Sequence, residues 1–244
     1  MPTRLDIDGL ANARELGGLE RRDGSRTPTG VFIRAETLDR VSNAGWDRLR
    51  AHGVRTVIDL RRPEETSGEV PADISRQQID LDGDERDFWA SRESDGQWGT
   101  PLYYADHLAE LPHRLAGVLD AIAQAPDGAV LFHCGAGWDR TGLVAAVLLK
   151  AVGATEDAAA GDYLASFANA PTMADLHARS FEVDERRAVL ARFGHTPESA
   201  FRAMWRGLDL DPWLRTHLDA RAVEVVTTWR GTVAPAPDLS SVDR

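Results

Sequence analysis

The segment Val130-Leu131-Phe132-His133-Cys134-Gly135-Ala136-Gly137-Trp138-Asp139-Arg140-Thr141-Gly142 joins a short apolar run to an apolar helix through a glycine-bearing loop. No other feature constrains the fold as strongly. An apolar run that short, ending at His133, reads as a strand buried on both faces, and such strands belong to parallel sheets covered by helices. The helix begins near Thr141 and repeats apolar residues at Val144, Leu148 and Val152 before Gly153 closes it.

The loop has a chemistry of its own. Cys134 and Arg140 lie six positions apart, a spacing that can wrap one oxyanion such as phosphate. The amides of Gly135, Ala136, Gly137, Trp138, Asp139 and Arg140 would point inward, where the helix N-terminus also favours negative charge. Gly135 and Gly137 would allow backbone angles that a Cβ obstructs. The same environment favours a thiolate, making Cys134 a candidate nucleophile, and Arg140 supplies a planar fork for two phosphoryl oxygens. Thr141 is placed to donate its hydroxyl to the sulfur, and His133 to orient the loop through backbone contacts. No Gly-Lys-Ser/Thr closes the motif, so it is not a Walker A loop.

The remaining chain supports an α/β fold with a central, mostly parallel sheet and helices on both faces. Strands are expected at Val31–Arg34, Val54–Leu60 and Gln77–Leu81. Helices are expected from Ser42 or Asn43 to Ala51, Pro112 to Ala125, Thr155 to Asn169, Asp184 to Phe193, Pro197 to Leu208 and about Asp219 to Trp229. A single domain over 1–232 would carry a tail, 233–244, whose Pro-, Ala- and Asp-rich composition favours disorder. In such a sheet the ligand site lies at the carboxyl ends of the strands, where the Cys134 loop falls.

Charge and composition narrow the partners. The net charge of −11 argues against nucleic acid or an anionic membrane surface as a standing partner. One cysteine among 244 residues excludes an internal disulfide framework and fits a reducing, cytoplasmic compartment. No run approaches eighteen apolar residues, and no N-terminal export signal is visible. The seven histidines show no metal-ligand spacing, so neither metal nor cofactor is expected.

The motif His133-Cys134-x-x-Gly137-x-Asp139-Arg140-Thr141-Gly142 resembles the signature loop of cysteine-dependent protein tyrosine phosphatases, and most closely that of the bacterial atypical members. Asn12-Ala13-Arg14-Glu15-Leu16-Gly17-Gly18, Ile58-Asp59-Leu60-Arg61, Asp162-Tyr163-Leu164 and the stretch from Pro197-Glu198 to Gly207-Leu208 resemble further motifs of that family. The resemblance covers roughly residues 10 to 218. It implies hydrolysis of phosphomonoesters through a phosphocysteine intermediate, and a lid inserted at about 83–101. Some relatives are exported without a cleavable signal, so it leaves that route open beside the cytoplasm.

For the proton given to the leaving group, Asp139 is the first candidate. Asp59 is the second, unless it only holds Arg14 or Arg140, and Asp82 and Asp84 at the root of the lid are third. Arg14 and Arg61 could each contact phosphate or a carboxylate. Trp138 stands where the family usually carries lysine, and Gly-Trp-Asp-Arg-Thr resembles myotubularin-type phosphoinositide phosphatases. Phosphotyrosine is therefore the expected substrate, with phosphoserine, phosphothreonine or phosphoinositides as further candidates. Two other readings have definite signatures. A rhodanese-type sulfurtransferase has a shorter loop without Asp-Arg-Thr-Gly. A non-catalytic phosphate-binding or redox-sensing module would use only the low-pKa thiol.

Overall fold

The computed structural model describes residues 3–65 and 68–234. Its sheet has six strands among the described residues: β1 (Thr3–Arg4), β2 (Arg14–Glu15), β3 (Phe32–Ala35), β4 (Val54–Asp59), β5 (Ser75–Gln78) and β6 (Ala129–His133), in the order β1-β2-β3-β6-β4-β5. β3, β6, β4 and β5 run parallel, while β1 and β2 extend the β3 edge antiparallel. β6 is central and buried along its whole length, as its apolar run requires.

Successive side chains of the central strands enter two cores. Phe32, Ile58, Val130 and Phe132 face the larger one, formed with α4 (Pro112–Gln124), α5 (Arg140–Ala151) and α10 (Ala220–Thr227). Ile33, Ala35, Val57 and Leu131 face the smaller one, closed by Trp46 and Leu49 of α1 (Asn43–Ala51) and by Leu5, Ile7 and Leu10. α5 is buried at every position except Lys150, so it forms the inner wall behind the loop. In register, Ala35, His133 and Asp59 form one row at the carboxyl ends of β3, β6 and β4.

Several elements differ from the sequence expectation. β1 and β2 have only two residues each, too few for any periodicity. The third parallel strand is Ser75–Gln78 rather than Gln77–Leu81, although Ile79 and Leu81 still donate to the Asp59 and Leu60 carbonyls. As a half-exposed edge strand it has no apolar face to advertise it. α6 (Glu156–His177) runs past Pro171 instead of ending at Asn169. Ala170 and Met173 are buried on either side of that proline while the ring itself faces solvent, so packing outweighs the lost backbone bond.

Beyond α6 lie α7 (Val183–Arg192), α8 (Pro197–Gly207) and α9 (Leu210–His217), the last with no counterpart in the sequence reading. The segment 83–101 is not irregular throughout. It contains α2 (Arg86–Ser94), whose Phe88 and Trp89 are buried in the larger core, and leads through a 3-10 turn (Pro101–Tyr103) into α3 (Tyr104–Glu110). Trp89 Nε1–H donates to the Asp82 carbonyl at 2.8 Å, and only Trp98 of its aromatics is exposed. Of the expected tail, Val233 donates back to Thr228, and 235–244 lie outside the described residues. No helix of the described residues is long and apolar enough to cross a membrane.

Candidate active site

The loop leaves β6 at Cys134 and enters α5 at Arg140. Its carbonyls are held from outside. Gly135 O accepts from the Thr37 amide at 3.2 Å, Ala136 O from Asn12 Nδ2 at 3.0 Å, and Gly137 O from Arg34 Nη2 at 2.8 Å. In a trans peptide the following N–H points opposite to the carbonyl. The amides of Ala136, Gly137 and Trp138 are therefore turned to the concave side, over the buried Cys134.

Of the two loop glycines, Gly137 is the one whose conformation requires glycine. Its φ is +60°, and a Cβ there would lie 2.3 Å from the Ala35 carbonyl oxygen. Gly135 has no positive φ. A Cβ at 135 would instead meet a guanidinium nitrogen of Arg179 at 3.7 Å, so the role expected of Gly135 is corrected from backbone freedom to open space.

The anchors behind the loop are themselves tied together. The Asp162 carboxylate of α6 bridges Arg14, at 2.7 Å, and Arg34. Arg14 Nη1 also binds Asn12 Oδ1 at 2.6 Å, and Glu36 accepts from the Asn12 amide at 3.0 Å. All of these side chains are buried. Arg14 thus reaches no concave-side atom; it is a support for Asn12. Burial pushes the Asp162 carboxyl up, but the Arg14 and Arg34 charges outweigh it and hold it below the usual carboxylate value. Asp162→Asn leaves two buried guanidiniums short of a counter-charge. It is expected to cost about 3–5 kcal/mol, measured as a Tm lower by roughly 6–20 °C.

On the open side, Arg140 directs its fork at Glu65, with Nη1–Oε2 at 2.6 Å and Nη2–Oε1 at 2.8 Å, and Asp82 Oδ2 lies 3.3 Å from Nη1. Burial opposes the Arg140 charge, but Glu65, Cys134 and Asp82 together raise its pKa above the ordinary value. Asp139 Oδ2 accepts from the Tyr103 hydroxyl at 2.6 Å, and its backbone carbonyl from Tyr104 at 2.8 Å. Its Oδ1 is buried without a hydrogen-bond partner among the described residues. Burial raises the Asp139 carboxyl, against the lowering influence of Arg186 and the Tyr103 bond.

The other candidate acids separate clearly. Asp82 is buried beside Arg140, and its carboxyl is pushed up to about 6, chiefly by burial, with Arg140 opposing and Asp139 adding. Asp84 is fully exposed and pairs with Arg114 at 3.4 Å, so it is not part of the site. Asp59 binds Arg61 at 2.8 Å and Arg76 at 3.0 Å, not Arg14 or Arg140. Although burial raises it, the Arg61 hydrogen bond and the neighbouring His133 and Arg61 charges bring it down to about 2, too low to hold a proton for transfer. Arg61 is accordingly Asp59's partner and no phosphate contact.

The neutral neighbours also differ in part from expectation. His133 Nδ1 lies 3.3 Å from the Cys134 carbonyl oxygen, a backbone contact of the kind foreseen, and burial lowers its pKa to about 4. Thr141 Oγ1 is buried and makes no hydrogen bond among the described residues, so the expected donation to sulfur is not formed. Trp138 is fully buried, edge-on to Phe167 at 4.2 Å, with the Arg186 guanidinium 4.9 Å over its ring. Its side chain is packing, not a pocket wall. Asn12 and Asp162 lay inside quoted motifs without a stated role. Arg34, Glu65 and Tyr103 carry no local signal that sequence reading could use.

The buried Asp82 carboxyl gives a sign-defined prediction. Its folded value near 6 exceeds the unfolded value near 4, so the folded state binds the extra proton between them. Stability from this group is present below pH 4 and lost as pH rises through 6. Asp82→Asn should match wild type in chemical denaturation near pH 4 and exceed it above pH 6, by up to about 3 kcal/mol. An unchanged difference across that range would rule this out.

A sequence profile of the Tyrosine phosphatase family matches residues 5–227, and the chain belongs to that family. It is 32% identical over 215 residues to the triple specificity protein phosphatase PtpB of Mycobacterium tuberculosis, covering 71% of this chain and 75% of that one. It is 33% identical over 161 residues to a tyrosine-protein phosphatase of Nostoc commune, which covers 62% of this chain and 54% of the relative. A relative from Cupriavidus necator is 31% identical over 172 residues, 66% of this chain and 62% of that protein. The matched stretches therefore span less than two thirds of the Nostoc and Cupriavidus proteins.

Proposed function

We propose that the chain hydrolyses phosphotyrosyl monoesters by way of a phosphocysteine intermediate. The observation that carries this reading is the set of outward-held carbonyls, which turns the loop amides onto one centre above Cys134 and beside Arg140. Cys134 Sγ attacks phosphorus, the bond from phosphorus to the tyrosyl oxygen breaks, and Asp139 gives its proton to the leaving phenoxide. Water then attacks phosphorus, returns a proton to Asp139, and releases phosphate and the thiolate. The amides and the Arg140 fork hold the three non-bridging oxygens while charge moves through them. Tyr103 keeps the Asp139 carboxylate aimed.

No step calls for a metal, so we propose that turnover persists in the presence of a chelator. The test is a panel of phosphotyrosine, phosphoserine and phosphothreonine peptides and soluble phosphoinositides, assayed for phosphate release with chelator present. Highest kcat/KM on phosphotyrosine supports the reading, and no release from any ester defeats it. A thiosulfate:cyanide assay covers sulfur transfer, for which Asp139 and the Arg140 fork have no use.

A further inference from the structure

We infer that Arg179 is a second anion-binding residue at the mouth of the loop, and that it takes a carboxylate flanking the phosphotyrosine of the substrate. The inference rests on the phosphatase reading above and adds the feature by which substrates are told apart.

The guanidinium of Arg179 lies beside the loop, with Nη2 3.7 Å from where a Cβ on Gly135 would stand. Gly135 and Ala136 are the partly exposed members of the loop, so this is the side open to a ligand. Arg179 comes from a different part of the chain, the connector between α6 and α7. Both ends of that connector are non-glycine residues in the left-handed region, Ala178 at φ +51° and Glu182 at φ +45°. Such backbone persists where surrounding structure over-determines it, often at ligand sites. Here it turns the chain so that Arg179 projects over the loop, while its guanidinium stacks 4.7 Å over the buried Phe181 ring. An arginine fixed on an aromatic face loses little freedom on binding an oxyanion.

Among the described residues, the arginines that anchor the loop are matched by carboxylates, whereas Arg179 and Arg186 pair with none. Arg140 has Glu65, Arg14 and Arg34 share Asp162, Arg61 has Asp59, and Arg186 donates to the Gly99 carbonyl. Arg179 is exposed, and no carboxylate of the described residues pairs with it. One exposed guanidinium offers one planar fork, which suits one carboxylate rather than a polyphosphorylated headgroup.

The experiment compares two phosphotyrosine peptides that differ only in flanking Asp/Glu against Asn/Gln. For the wild type, kcat/KM should favour the acidic peptide by about two- to fivefold, the size of one solvent-exposed charge pair, and salt should shrink that preference. Arg179→Gln should bring the ratio to about one, Arg179→Glu should invert it, and Arg179→Lys should restore part of it. An unchanged ratio in Arg179→Gln, with unaltered thermal unfolding, would overturn the proposal. So would loss confined to soluble inositol polyphosphates, which would assign the site to a phosphate instead. If the wild type releases no phosphate from either peptide, the phosphatase reading fails. The Arg179 assignment is then decided by the Kd of each peptide for the Cys134→Ser protein.

Discussion

Cys134→Ser is expected to lower the turnover of a phosphotyrosine peptide by at least about 10⁴-fold, because a serine hydroxyl beneath the loop has no base to activate it. Phosphate binding should survive, since the amides and the Arg140 fork do not depend on the sulfur. The two readouts together separate a lost nucleophile from a collapsed loop. Calorimetric titration of the variant with phosphotyrosine peptide should give a Kd within a few-fold of the wild-type KM. Rapid-quench labelling should show phosphoenzyme in wild type alone. Turnover within tenfold of wild type would remove Cys134 from the mechanism.

The second large effect is expected at Asp139. Replacing it by Asn leaves a group of the same shape with no proton to give, and the loss should be about 10²- to 10³-fold on phosphotyrosine. Across aryl phosphates the loss should shrink steadily as the leaving phenol becomes more acidic, since a good leaving group needs no donor. Burial raises the Asp139 carboxyl, so its acid form persists to higher pH than an exposed aspartate's. Activity should fall as pH rises through that value, and this limb should disappear from the kcat/KM profile of the variant. Asp82 raises the stakes of the measurement because it lies close enough to couple electrostatically with Asp139. A loss independent of leaving group in Asp139→Asn, with the missing limb appearing in Asp82→Asn, would move the acid role to Asp82.

Much of this site was readable from the chain because its chemistry is local. A nucleophile, a turn and an oxyanion fork must follow one another at fixed spacing, so Cys134, Gly137 and Arg140 announce themselves within one strand–loop–helix. The buried strands were readable for a related reason: β6 is apolar from Ala129 to Phe132, and β4 places Val54, Val57 and Ile58 in the cores between its polar residues. What was not readable depends on distance. Glu65 meets Arg140 across 75 residues, and Tyr103 meets Asp139 across 36, with nothing in either local sequence to mark the pairing. Asp59 misled because its motif ends a strand beside the loop, yet its two oxygens are taken by Arg61 and Arg76. α2 was hidden because its buried surface is only Phe88 and Trp89, too few to show a helical stripe.

The carbonyl anchors have a consequence for the order of events during synthesis. Asn12 reaches Ala136 across 124 residues, and Arg34 reaches Asp162 across 128. Cys134 leaves the ribosome before Asp162 does, so the nascent loop lacks the carboxylate that fixes Arg14 and Arg34 against it. Without those anchors the loop carbonyls are not yet all held outward. The final geometry of the loop therefore waits on the docking of α6, which brings Asp162 to Arg14 and Arg34.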